Sequence, residues 1–102
     1  MKPPTKFSRI IEGKRYNVET ATLIAGNDYW DGHNFERSGT NTFLYRTAKG
    51  RYFQVRLTQW QGEQDFLTRI SQEYALNLFE SWPGGQRVSY QEAFPGVEIE
   101  EA

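Results

Sequence analysis

Residues 42–60, TFLYRTAKGRYFQVRLTQW, constrain the fold more than any other stretch. Two runs rich in aromatic and aliphatic residues flank Ala48-Lys49-Gly50. That triplet suits a three-residue hairpin loop with Gly50 in the left-handed conformation. The loop sets the register: Thr47 opposite Arg51, Tyr45 opposite Phe53, Phe43 opposite Val55. Side chains alternate across a strand, so Phe43, Tyr45, Phe53, Val55 and Leu57 share one face. The other face carries Leu44, Arg46, Tyr52, Gln54, Arg56, Thr58 and Trp60. A slip of one residue would exchange the faces, and only this register gathers the pure hydrophobes together.

The pattern around the hairpin predicts the order β-α-β-β-α. Residues 7–11 read as a short strand, turned by Glu12-Gly13-Lys14 into a stub at Arg15-Tyr16. Asn17 is a good N-cap, and Val18, Ala21 and Ala25 follow at helical spacing. A helix is therefore expected over 18–25, with Glu19 in its first turn and Gly26 just past its end. Residues 27–41 form a long polar loop, which Trp30 is expected to anchor. Residues 61–67 read as a second polar loop. Ser71 caps a helix over 72–82, where Ala75, Leu78, Phe79 and Trp82 make one apolar stripe. Pro83-Gly84-Gly85 stops it. Ser89 with Glu92 resembles a capping box for a single turn over 90–93. Residues 97–101 suit a short edge strand.

The economical architecture is α+β, a small antiparallel sheet with a central hairpin at 42–60 and two helices packed on one face. One domain is expected over 1–102: a loose tail at 1–6, a core at 7–82 and a C-terminal extension at 83–102.

The chain of 102 residues has no cysteine, which excludes disulfides, thiolate nucleophiles and cysteine-bound metals. No apolar run approaches the roughly 20 residues of a membrane helix. The N-terminus lacks the apolar segment of a secretory signal. The expected setting is the cytoplasm, away from membranes. A net charge of −1 hides an asymmetry. Residues 1–59 carry ten Lys/Arg against five Asp/Glu, a net of +5; residues 60–102 carry two against eight, a net of −6. Such polarity can steer a partner of either sign, and the two halves can also attract each other within the fold.

Chemical motifs are scarce. His33 is the only histidine, and its neighbours Asp28 and Asp31 do not have the spacing of an oxygen-rich calcium loop. The expectation is a solvated loop histidine and no metal. There is no G-x-S-x-G elbow and no glycine-rich phosphate loop. The acid pairs Glu63/Asp65 and Asp28/Asp31 sit in turn-rich loops, where acids are ordinary. The chain is expected not to be an enzyme and to carry no cofactor.

Binding is the better expectation. Tyr, Trp and Arg are enriched in interface hot spots, and Tyr29, Trp30, Arg46, Tyr52, Arg56 and Trp60 offer such a set. The expected partner is a protein or protein complex. The alternative is single-stranded nucleic acid, with Tyr52 and Trp60 stacking bases between Arg46, Lys49, Arg51 and Arg56. The sequence pI of 5.8 weighs against it. These residues also lose their role if a helix covers that face.

The runs GKRYNVETATLIA, LYRTAKGRYF and ISQEYALNLFE resemble a pattern in small uncharacterised prokaryotic proteins, many of them borne on phages and other mobile elements. The likeness lies in a cap, a turn and core positions, so it carries no catalytic residue across. It implies an α+β fold and a mobile-element setting. In that setting, small charge-split proteins often inhibit host defence, as anti-CRISPR proteins do. The resemblance thus implies a binding protein that inhibits or modulates a host defence complex.

Overall fold

The computed structural model describes residues 2–29, 39–59, 62 and 64–102. It is mixed α and β, mostly strands in two antiparallel sheets. β1 (Ser8–Ile11) and β2 (Lys14–Asn17) form a separate two-stranded sheet. β3 (Thr22–Gly26), β4 (Thr40–Arg46), β5 (Tyr52–Thr58) and β6 (Phe66–Ile70) form a four-stranded meander in that order. α1 (Gln72–Ser81) follows, then a 3-10 turn (Pro83–Gly85) and the short α2 (Tyr90–Ala93).

β4 and β5 pair Phe43 with Val55, Tyr45 with Phe53 and Arg46 with Tyr52. The loop between them closes through Thr47, whose carbonyl accepts from Gly50 N at 2.9 Å and whose hydroxyl accepts from Arg51 N at 3.0 Å. Gly50 has φ +85°, which a residue with a Cβ adopts only under strain.

Each sheet face has its own core. On one side Phe43, Tyr45, Phe53, Val55 and Leu67 lie under Tyr16 and Val18, with Phe7 and Ile11 at the margin. The β1–β2 hairpin is thus a lid over this face. Phe53 stacks on Tyr45 with centroids 5.1 Å apart and meets Tyr16 edge-on at 5.7 Å. On the other side Ile24, Ala25, Leu44 and Tyr52 lie under Ala75, Phe79, Trp82, Ala93 and Phe94. Both helices pack on this face. Ser71 caps α1 by accepting from Tyr74 N, and the Ser89/Glu92 capping box opens α2.

Three sequence expectations are corrected. The helix over 18–25 is instead a turn followed by β3. Asn17 Oδ1 does accept from Glu19 N at 3.0 Å, as an N-cap would, but the same bond closes a tight turn. Pairing with β4 then outweighs the weak helical pattern, and β-branched Thr22 and Ile24 favour it. The register shifts between Leu23 and Ala25, so Ile24 is an extra residue and both Ile24 and Ala25 reach the helix-side core. Gly26 is a strand residue opposite Phe43, not a helix terminator.

The second correction is β6, which occupies part of the stretch read as a polar loop and buries Leu67 completely. The third concerns residues 97–101, which form no strand. Gly96 at φ +86° folds the chain back so that Val97 packs on the helix-side core, leaving Glu98, Ile99, Glu100 and Glu101 exposed. The expected order β-α-β-β-α is therefore replaced by six strands before α1. Most of the 27–41 loop, with its expected Trp30 anchor, lies outside the described residues.

The stretch read as an extension completes the fold. Gln86 bridges Ala25, and Arg87 N donates to Ile24 O at 2.9 Å, so this segment runs along the outer edge of β3. Arg87 also holds Asp28 with two bonds of 3.0 and 2.9 Å. Gly85 is required by close approach: a Cβ there would lie 1.8 Å from the Gly26 carbonyl oxygen. Because the obstruction is backbone, Gly85→Ala should cost roughly 3 kcal/mol or more, the upper range of overpacking. Urea denaturation measures this loss.

Candidate functional site

Of the six residues singled out in the sequence, the four that are described, Tyr29, Arg46, Tyr52 and Arg56, do not converge. Arg46 and Tyr52 face each other across the closing end of the β4–β5 hairpin. Tyr52 is only 4% exposed. Its ring stacks on Phe94 at 5.2 Å, and its hydroxyl donates to the Ala93 carbonyl at 2.7 Å. This corrects the expectation of an exposed Tyr52, because α2 and Phe94 cover that end of the face. Arg46 is half-buried, and its Nε is enclosed without a hydrogen-bond partner. Arg56 lies four residues along β5 from Tyr52, exposed, with its guanidinium 5.8 Å from the centre of the Phe66 ring. Tyr29 is half-buried, with its ring against Gly84 and Gly85. Trp30 and Trp60 lie outside the described residues.

A different group does converge. Covering one sheet face with the β1–β2 hairpin brings its turn beside the β4–β5 turn. Between them is a cleft of about 490 Å³ lined by Lys14, Arg15, Tyr16, Thr47, Lys49 and Arg51, among others. A second cleft of about 290 Å³ shares Lys14, Tyr16 and Arg51 with it and runs on to Glu12, Arg69 and Ile70. The shared residues place the two clefts side by side.

Lys14, Arg15, Lys49 and Arg51 are all exposed. Among the described residues no carboxylate pairs with any of the four. The nearest acid in the wall, Glu12, is held by Arg69 at 2.8 Å. Lysine offers a mobile point charge and arginine a planar fork, and both recognise carboxylate or phosphate oxygens. Each exposed contact is weak alone, about 0.2–1 kcal/mol, so recognition here depends on several acting together. The sequence did display Lys49 and Arg51 at a hairpin tip. It had no signal that Lys14 and Arg15, on another hairpin, would stand beside them.

The core under this site shapes one titration. Burial pushes the Tyr45 phenol up from its ordinary 10.0 to about 12, a rise the Arg87 charge partly offsets. The folded state holds the Tyr45 proton more tightly than the unfolded chain does. This contribution to stability is therefore intact below pH 10 and is lost as pH climbs towards about 12. Tyr45→Phe should lose less stability than the parent over that window, as read from thermal melts on either side of pH 10. Tyr52→Phe, by contrast, should cost about 1 kcal/mol near neutral pH by removing the hydroxyl bond to Ala93. Chemical denaturation checks it.

The chain matches no protein-family model, no curated protein and no solved structure.

Proposed function

We propose that the protein is a non-enzymatic binding protein of a phage or other mobile element. In this reading it acts in the cytoplasm and inhibits or modulates a host protein complex, as an anti-CRISPR protein does with a defence effector. One observation carries the binding role: Lys14, Arg15, Lys49 and Arg51 line one cleft with no carboxylate partner among the described residues. Four exposed like charges held around one cleft repel one another, and an anionic partner relieves that repulsion. Exposed Arg56 over Phe66 offers a second contact. The host setting comes from the GKRYNVETATLIA, LYRTAKGRYF and ISQEYALNLFE runs. Among the described residues, no helix is long and apolar enough to cross a membrane.

Single-stranded nucleic acid on the second face of the hairpin has less support. That reading needs exposed rings for base stacking, and Tyr52 is in the core.

The test is affinity capture from host extract with the tagged protein, followed by mass spectrometry. The wild type should recover a defined host complex. Lys49→Glu with Arg51→Glu should lose it while the circular dichroism spectrum stays unchanged. Equal recovery by both proteins would remove the depression as the contact site, and recovery of no complex by the wild type would remove the reading itself.

A further inference from the structure

We infer that the depression between the two hairpin turns takes an extended acidic segment of a protein, a run of Asp or Glu side chains on the partner. The inference rests on the binding role proposed above and adds the chemistry of what is bound.

The shape favours a chain over a single ion. The two clefts, of about 490 and 290 Å³, adjoin at Lys14, Tyr16 and Arg51, and their walls together reach from Thr20 and Lys49 to Arg69 and Gln72. Volumes of this order hold ligands larger than one phosphate or one carboxylate. An extended chain advances about 3.3 Å per residue and can lay alternate side chains into such a trough. The cations are spread along it: Arg15 and Lys49 line only the larger cleft, Arg69 only the smaller, and Lys14 and Arg51 the junction. The Glu12–Arg69 pair, at 2.8 Å, closes the smaller cleft with a neutral boundary. Arg46 adds a further positive charge beside Gly50 of the smaller cleft, its Nη2 lying 3.4 Å from where a Cβ on that glycine would stand.

The charge distribution separates the two polyanions such a trough could meet. Nucleic acid is a uniform polyanion, long enough to feel the whole field of the protein. That field is unfavourable: the chain carries −1 overall, and residues 60–102 carry −6. A local acidic segment meets only the cations of the two clefts. Single-stranded nucleic acid also gains much of its affinity from stacking on aromatic faces. The rings at this depression, Tyr16 and Tyr52, are each only 4% exposed. What remains accessible is the charge, together with the hydroxyls of Thr20 and Thr47.

Fluorescence anisotropy with the full chain tests the inference. The probes are a fluorescein-labelled peptide of alternating Glu and Thr residues, a Lys/Thr peptide of equal length, and single-stranded and duplex oligonucleotides. The Glu/Thr peptide should bind and the Lys/Thr peptide should not. Its affinity should fall steeply as salt rises from about 0.01 M to about 1 M, where screening shortens from roughly 30 Å to roughly 3 Å. Lys49→Glu with Arg51→Glu should weaken it by about tenfold or more, the cost of two exposed contacts turned repulsive. Lys49→Gln with Arg51→Gln should fall between this variant and the wild type.

Tighter binding of either oligonucleotide, lost in the same variants, would overturn the inference in favour of nucleic acid. Concentration-dependent self-association abolished by the charge reversal would overturn it in favour of the Glu98–Glu101 tail of a second copy. No salt-sensitive binding of any probe would overturn it outright. If host-complex capture persists while the acidic peptide fails to bind, only the acidic-segment inference falls.

Discussion

β4 and β5 present bulky side chains to both sides of the sheet. Phe43, Tyr45, Phe53 and Val55 need cover on one side, Leu44 and Tyr52 on the other. Burying a large apolar side chain contributes roughly 1.5–3 kcal/mol. Leaving either face in water would forfeit several such terms, against a net domain stability of only about 5–15 kcal/mol. The rest of the chain supplies the two covers. β1 and β2 bring Tyr16 over the Tyr45–Phe53 stack, while α1, α2 and Phe94 close over Leu44 and Tyr52.

This layering makes the candidate site. A hairpin laid on a sheet face must end somewhere, and β1–β2 ends beside the β4–β5 turn. Turns are polar and exposed because their backbone groups need water or local partners. Lys14 and Arg15 open β2 just after one turn and Lys49 and Arg51 flank Gly50 at the other, so their meeting concentrates charge that neither hairpin has alone. The same layering removes Tyr52 from the surface: its hydroxyl is spent on the Ala93 carbonyl, tying the central hairpin to the last helix.

Legibility varied with the range of the forces involved. The faces of residues 42–58 could be read because side-chain alternation and the Gly50 turn are local. The caps of α1 and α2 were legible for the same reason, since Ser71 and Ser89 each bond within three residues. Asn17 misled because one bond, to Glu19 N, serves a helix cap and a tight turn alike. β6 was missed because its five residues, FLTRI, alternate only weakly; Leu67 and Arg69 lie to one side of the strand, and Leu67 gains its burial from the pairing with β5.

By itself, the sequence determined the central hairpin, its one purely apolar face and the capped amphipathic helix after Ser71. These follow from periods, caps and turns acting over a few residues. Only the tertiary structure decided that residues 22–26 are a strand, that Tyr52 is core, and that Lys14 and Arg15 stand with Lys49 and Arg51. A strand edge is stabilised by whatever pairs with it, and a charge cluster by how separate turns are stacked. Both depend on contacts distant in sequence, which no local pattern encodes. The binding site proposed for the chain rests on the second kind of fact.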